Sequence, residues 1–352
     1  TKKVLLDYFN TKLVLDETVL NDITKFFAIR NKTVTEINRN QALVPHGCKV
    51  IRNLNGTAPA MWLEKNGCVY ISMPGVPYEM KALMTDEILP EIKSKYKLPF
   101  IYHKTVLTQG IGESYLAEKI EEWEDQLTPK GIKLAYLPQP GIVRLRLSLS
   151  GEDEKLIKES VESEINGLNK IISEYVFGYE EFGQETPSIA SIVADILQKI
   201  NKTVCLAESC TGGQVAALLT AIPGVSSVFA GGLVPYSNQA KQNLLNVPAE
   251  IFEQFGAVSK ECVLSMATNV LQKFNADYSI SISGVAGPSG GTPEKPVGFV
   301  WIAIASKSGA EAFYFQFGDN RQRNISMTAT TALNLLRKKL IFDHTSISKK
   351  SS

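Results

Sequence analysis

The sequence predicts an α/β protein of several domains. Helical periodicity alternates with short apolar strands along almost the whole chain. The pattern changes character twice, near residues 98 and 179. The 352 residues also exceed one usual core, at roughly 100–200 residues per domain. Apolar residues make up 44% and charged residues 21%, which excludes disordered, collagen-like and coiled-coil chains. No apolar run reaches the roughly 18–20 residues needed to span a bilayer. A formal net charge of +1 gives no general electrostatic case for nucleic acid or a membrane surface.

The first segment, 1–97, opens on Thr1-Lys2-Lys3 and a helical pattern rather than a secretory leader. Val19, Leu20, Ile23, Phe26 and Phe27 recur at helical spacing. The turn Asn66-Gly67 opens the run Cys68–Met73, read as a buried strand closed by Pro74-Gly75-Val76-Pro77, with a helix from Tyr78. That mixture suggests an α/β unit.

The second segment, 98–178, reads as a small α+β unit. Strands are expected at Lys104–Gln109, Lys133–Pro138, Ile142–Ser150 and Ile171–Phe177. Leu116, Ile120, Trp123 and Leu127 mark one helix, and Leu156, Ile157, Val161, Ile165 and Leu168 another.

Residues 179–186 read as a polar linker. Thr186-Pro187 predicts a helix start with proline at the first position. The third segment, 187–344, alternates strands and helices like a layered α/β domain. Its last helix is marked by Ala329, Ala332, Leu333, Leu336 and Leu340, and the tail from Thr345 reads as frayed.

Five cysteines without a C-x-x-C pair suggest reduced thiols in a cytoplasmic protein. Three histidines, His46, His103 and His344, argue against a zinc site. They also argue against a Ser-His-Asp triad in the third segment.

Chemistry concentrates in four stretches of that segment. In Thr203–Gly213 a short apolar strand runs into Glu208-Ser209-Cys210-Thr211-Gly212-Gly213 and then a helix. Unpaired N–H groups there suit an anion or developing oxyanion. Ser209 or Thr211 also fits a simple helix cap. Next, Tyr236 ends a second apolar run and Lys241 follows in the next helix. In a parallel sheet both motifs would lie at carboxyl ends of strands, where α/β sites gather. Lys241 also fits a solvated surface lysine. Third, Ser279–Gly291 ends a strand at Ser283-Gly284 and continues as a glycine loop, a phosphate cradle or a mobile turn. Fourth, Arg321 stands at a loop–helix junction, as a phosphate fork or a surface residue. If Ser209 is a nucleophile, lysine is the base left to serve it, with Tyr236 orienting the amine or passing the proton.

Together the stretches A-E-S-C-T-G-G (207–213), Y-S-N-Q-A-K (236–241), G-A-V-S (256–259), S-I-S-G-V-A-G-P-S-G-G (281–291), P-V-G (296–298) and G-D (318–319) resemble the C-terminal domain of the CinA family, the nicotinamide mononucleotide amidohydrolases. The resemblance implies Ser209 as nucleophile, Lys241 as base and Tyr236 as an assisting hydroxyl. It implies Cys210, Thr211, Gly212, Gly213, Ser283 and Gly284 around the substrate and an arginine at its phosphate. The family's G-D-R reads G-D-N here, so Arg321 is the substitute. No metal or organic cofactor is implied for this amidase, whose partner is a small pyridine nucleotide.

Earlier stretches, I-N-R-N-Q-A-L-V-P (37–45), N-G-T-A-P (55–59), M-P-G-V-P-Y-E-M (73–80), G-I-G-E-S (110–114) and L-A-Y-L-P-Q-P-G (134–141), resemble the rest of a CinA protein. They imply a molybdopterin-binding-like first domain at 1–97, truncated at its start, since the family's G-G-L-G-P-T-x-D-D motif would precede Thr1, and a KH-like domain at 98–178. The resemblance associates the first domain with ADP-ribose pyrophosphatase activity using a divalent metal. Asn55, Thr57 and Glu79 would line half of that site. Residues 98–178 contain no G-x-x-G loop, so nucleic-acid binding is not expected. A homodimer is expected from the family. The rival to both activities is a nucleotide-binding protein that does not turn its ligand over.

Overall fold

The computed structural model describes residues 2–181 and 183–348. The chain divides into two compact units, Thr1–Pro99 and Phe100–Ser352. No helix among the described residues is long and apolar enough to cross a membrane.

The first unit runs α1 (Lys2–Phe9), β1 (Leu13–Leu15), α2 (Glu17–Ala28), α3 (Glu36–Arg39), β2 (Leu43–Pro45), β3 (Lys49–Ile51), β4 (Ala60–Lys65), β5 (Cys68–Ser72), α4 (Pro77–Leu83) and α5 (Leu89–Lys95). Asp16 caps α2 by accepting from the Val19 N–H, and Val19 and Ile23 bury its apolar face. β1 pairs with β2, and β3, β4 and β5 form a small antiparallel sheet. Asn66 (φ 51°) and Gly67 (φ 77°) both take the left-handed conformation that a tight two-residue hairpin between β4 and β5 requires. β5 was expected to be buried. It is instead an edge strand, with Cys68 and Tyr70 facing water, because only β4 flanks it.

The second unit begins with β6 (Phe100–Gln109), α6 (Glu113–Glu124), β7 (Lys133–Gln139), β8 (Ile142–Gly151), α7 (Glu154–Ile172) and β9 (Val176–Glu180). Its sheet has the order β7-β8-β6-β9, antiparallel throughout. Leu116, Ile120 and Trp123 of α6 and Val161, Ile165 and Leu168 of α7 pack on Val106, Leu145 and Leu147. Leu156, expected on the α7 stripe, is left exposed. The sequence placed a strand at 171–177. Ile172 instead completes the apolar stripe of α7, so the strand starts at Val176 and takes in the first residues of the expected linker.

The chain continues as α8 (Ile189–Lys199), β10 (Val204–Glu208), α9 (Gln214–Thr220), β11 (Phe229–Leu233), α10 (Asn238–Leu245), α11 (Ala249–Gln254), α12 (Lys260–Phe274), β12 (Tyr278–Gly284), β13 (Phe299–Ser306), β14 (Gly309–Gln316) and α13 (Arg321–Ser348). Helix α8 starts later than Pro187 suggested, because the Ser188 hydroxyl is the cap that accepts from the Ser191 N–H. α13 runs through the expected frayed tail as far as Ser348; residues 349–352 lie outside the described residues.

The five strands lie in the order β11-β10-β12-β13-β14. The first three are parallel and the last two antiparallel, so the sheet is mixed. α8, α9 and α13 cover one face through Val193, Leu197, Val215, Leu219, Leu333 and Leu336. α12 covers the other through Cys262, Met266 and Val270. Along β12, Ile280 and Ile282 enter the first core. Ser279, Ser281 and Ser283 face the other way and donate to the carbonyls of Ala267, Val263 and Ala257, at 2.7, 2.6 and 2.7 Å. Small, bonded side chains let α12 lie close on the strand without an unpaired buried hydroxyl.

The two halves of this unit share a core. Leu107 of β6 and Phe177 of β9 belong to the cluster that holds α8, α9 and α13. Because Val106 points the opposite way, under α6 and α7, β6 is buried on both faces.

Candidate active site

The carboxyl ends of β10, β11 and β12 lie side by side, with β10 between the other two. From β10 the chain goes to β11 on one side and later to β12 on the other. The loops therefore diverge there, which is where α/β sheets form clefts.

Ser209 follows β10 directly. Its N–H donates to the Ile282 carbonyl at 3.0 Å, which ties it to β12. The Gly212 N–H donates to the Ser209 carbonyl at 3.0 Å. Gly212 (φ 61°) and Gly213 (φ 97°) then turn the chain into α9. Two consecutive positive φ angles select glycine at both positions. The side chain of Ser209 is buried, so the turn presents one hydroxyl in a water-poor place.

The start of α9 is not open to an anion, contrary to expectation. The Val215 and Ala216 N–H groups donate to the two carboxylate oxygens of Glu208, at 2.9 and 2.8 Å. Glu208 is fully buried and serves as an internal cap. The N–H groups of Cys210, Thr211 and Gly213 have no carbonyl acceptor among the described residues. The Thr211 hydroxyl is buried beside them without a partner.

Lys241 arrives from α10. Ser237 caps that helix by accepting from the Ala240 N–H at 3.1 Å. Lys241 is only 2% exposed. Its Nζ lies 3.0 Å from Ser209 Oγ, 3.0 Å from the Pro235 carbonyl oxygen and 3.4 Å from that of Tyr236. No carboxylate bonds the amine among these contacts. Burial lowers its pKa and outweighs the opposing influence of the Cys262 and Cys210 thiols. Burial pushes those thiols up to about 11 and about 12, so at neutral pH neither supplies an anion to hold an ammonium.

Tyr236 was expected at the amine through its hydroxyl. The structure brings its backbone carbonyl there instead. The phenol is largely exposed and accepts from Arg321 Nη2 at 3.0 Å. Arg321, the first residue of α13, also donates through Nη1 to the Gly287 carbonyl at 2.7 Å. It therefore stands over the loop after β12. The Ser283 hydroxyl is committed to Ala257, so Ser283 shapes the floor and does not offer a free group. A Cβ on Gly284 would come within 2.8 Å of the Phe299 carbonyl oxygen, so the position admits no side chain.

Three contributors carried no reading in advance. Glu208 stood in the recognised stretch, and a lone carboxylate closing a buried strand just before a helix was the available signal for a cap. The Pro235 carbonyl has no side-chain signature. Asn324, buried in α13, donates to the carbonyls of Ala286 and Gly318 at 3.0 and 2.8 Å and ties two site loops together.

In the first unit, Asn53 donates to the Glu79 carboxylate at 2.6 Å and the Tyr78 hydroxyl to the Asn55 carbonyl at 3.0 Å. Among the described residues no group of three or more His, Cys, Asp or Glu could hold a metal ion. One carboxylate falls short of the oxygen set a divalent cation takes.

Comparison with known proteins agrees with this layout. Residues 186–340 match the family described as CinA C-terminal domain, and 103–178 match the damage-inducible protein CinA KH domain. A CinA-like protein of Cytophaga hutchinsonii is 43% identical over 340 residues, covering 97% of this chain and 80% of that protein. A CinA-like protein of Flavobacterium psychrophilum is 44% identical over 342 residues, covering 97% of this chain and 81% of that protein. The crystal structure of a competence/damage inducible protein from Agrobacterium tumefaciens is 37% identical, with a TM-score of 0.42, covering 44% of this chain and 98% of that one. With a KH-like sheet leading into a CinA C-terminal domain, this chain belongs to the CinA family.

Proposed function

We propose that the second unit hydrolyses the carboxamide of nicotinamide mononucleotide, giving nicotinate mononucleotide and ammonia. The observation that carries this reading is the buried Lys241 amine 3.0 Å from the Ser209 hydroxyl. In its neutral form the amine has two hydrogens and one lone pair. The hydrogens donate to the Pro235 and Tyr236 carbonyls, which leaves the lone pair for the Ser209 proton. Lowering of the amine's pKa by burial favours that form.

Ser209 Oγ attacks the amide carbon as Lys241 takes its proton. The free N–H groups in the Cys210–Gly213 turn are the available donors to the oxyanion. The ammonium of Lys241 then protonates the departing nitrogen, the C–N bond breaks and ammonia leaves. Water attacks the acyl-serine with Lys241 again as base, which restores Ser209. The unpartnered Thr211 hydroxyl is free to meet the rest of the substrate, and Arg321, which already bonds the Gly287 carbonyl and the Tyr236 phenol, keeps further N–H groups suited to its phosphate.

The test is ammonia release from nicotinamide mononucleotide without added metal. The parent is expected to release it and Ser209→Ala to lose it. Full activity in Ser209→Ala would rule out the covalent route. Tight binding with no ammonia from the parent would make the protein a non-catalytic binder.

A further inference from the structure

We propose that Asn324 is a positioning residue: it sets the loop after β12 so that Arg321 is aimed at the phosphate of the substrate, without touching the substrate itself. The proposal rests on the amidase reading only in taking a pyridine mononucleotide as the ligand of the Ser209 site.

Arg321 is the first residue of α13 and Asn324 stands three residues on, so both side chains leave one face of the same turn. They grip two successive carbonyls of the loop after β12. Asn324 Nδ2 donates to the Ala286 carbonyl at 3.0 Å, and Arg321 Nη1 donates to the Gly287 carbonyl at 2.7 Å. The other hydrogen of Asn324 Nδ2 goes to the Gly318 carbonyl at 2.8 Å, on the loop that leads into α13. One amide thus joins the helix to both loops. Its neighbours are both acceptors, so only the nitrogen can face them. That orientation leaves Oδ1 buried with no partner, a cost that an apolar side chain would not carry.

The two residues differ in burial. Asn324 is 1% exposed. Arg321 is exposed and keeps its place through the Gly287 carbonyl and the Tyr236 phenol, the latter at 3.0 Å. A long charged side chain in water holds one rotamer only while its anchors stay still. Asn324 fixes the backbone anchor from inside the protein. The reacting pair is held elsewhere. Ser209 N–H donates to Ile282, and Lys241 Nζ meets only Ser209 Oγ and the Pro235 and Tyr236 carbonyls. Loss of the Asn324 amide should therefore loosen the hold on the phosphate and spare the chemical step.

The test is ammonia release from nicotinamide mononucleotide by the full chain, paired with calorimetric titration of nicotinate mononucleotide. The second compound carries the same phosphate and has no amide to hydrolyse. Asn324→Leu keeps the volume and removes both donors. It is expected to raise KM about tenfold with kcat within about twofold, and to weaken the Kd about tenfold. Arg321→Gln should weaken the Kd similarly. The double variant should lose no more than either single one, because Asn324 acts through Arg321. Asn324→Ser, which keeps a hydroxyl donor, replaces the leucine variant should that one fail to fold, and the same pattern at smaller size is expected. A fall in kcat at constant KM, an unchanged Kd, or losses that multiply in the double variant would overturn the proposal. The expected titrations without ammonia from the parent would remove the amidase reading and leave Asn324 in its role. No binding by the parent would overturn both.

Discussion

Lys104 in the KH-like sheet and Lys241 in α10 are both largely withdrawn from water, yet the chain equips them oppositely. Lys104 sits between Glu162 and Glu181, at 2.6 and 3.0 Å. Burial alone would lower its pKa, but bonds to those carboxylates outweigh that and raise it. Lys241 faces two carbonyls and a hydroxyl, and burial lowers its pKa. The nearby carboxylate, Glu208, is fully engaged by the N–H groups of α9. A structural lysine is thus given an anion, whereas at the candidate site the anion is given to the backbone and the lysine is left able to lose its proton.

Exchanging each lysine for methionine breaks the comparison most severely. Lys241→Met should cut ammonia release by about 10²–10⁴-fold, the usual worth of a general base. Lys104→Met should leave the rate alone and alter stability by no more than about 1 kcal/mol, because its partners are partly exposed. Equal rate losses in the two variants, measured at one substrate concentration, would erase the distinction.

Glu208→Ala comes next. It orphans the buried Val215 N–H and the half-buried Ala216 N–H, at a cost of about 2 kcal/mol or more, read as a lower denaturation midpoint. If Glu208 belongs to the helix and not to Lys241, the residual activity should keep the parent's pH midpoint. A shifted midpoint would mean that the carboxylate does tune the amine.

Titration separates the two lysines by sign. Activity that needs neutral Lys241 should rise with pH and level off below the ordinary lysine value of 10.5. The folded state binds fewer protons here than the unfolded one, so this group's contribution to stability grows with pH between its lowered value and 10.5. Lys104 contributes stability that is complete below 10.5 and lost as pH climbs through its raised value. Alkaline melts of the parent and Lys104→Met should therefore converge, whereas a rate profile without a rising limb would contradict a neutral Lys241.

The sequence showed more of the site's chemistry than of its geometry. Ser209, Lys241 and the glycines of the turn were legible because a nucleophile without histidine needs an amine and a sharp turn needs Gly212-Gly213. The helix stripes of α6, α7 and α13 were legible because apolar spacing reports burial directly. The role of Tyr236 was not, because a backbone carbonyl has no letter of its own and the phenol's letter drew attention instead. The shared core around Leu107 was hidden for a related reason. Strand β6 is buried on both faces, so the alternation that marks a one-faced sheet is absent, and residues 98–178 read as a free-standing unit.

The smallest expected effect is also the one that isolates geometry from charge. Ser237 and Asp153 are equivalent devices, each accepting from the N–H three residues on, at 3.1 and 3.0 Å. Replacing either by alanine should cost about 1 kcal/mol. What differs is the helix that each one holds. Asp153 begins α7, which packs on the KH-like sheet, and Asp153→Ala should lower the melting temperature without touching the rate. Ser237 begins α10 one turn before Lys241, so fraying there moves the amine away from Ser209 and loosens the Pro235 and Tyr236 carbonyls that aim its lone pair. Ser237→Ala should therefore match Asp153→Ala in stability but lower kcat several-fold, with KM nearly constant because no substrate contact is lost. Equal kcat values in the two variants would show that Lys241 is held by its own burial and not by the cap of its helix.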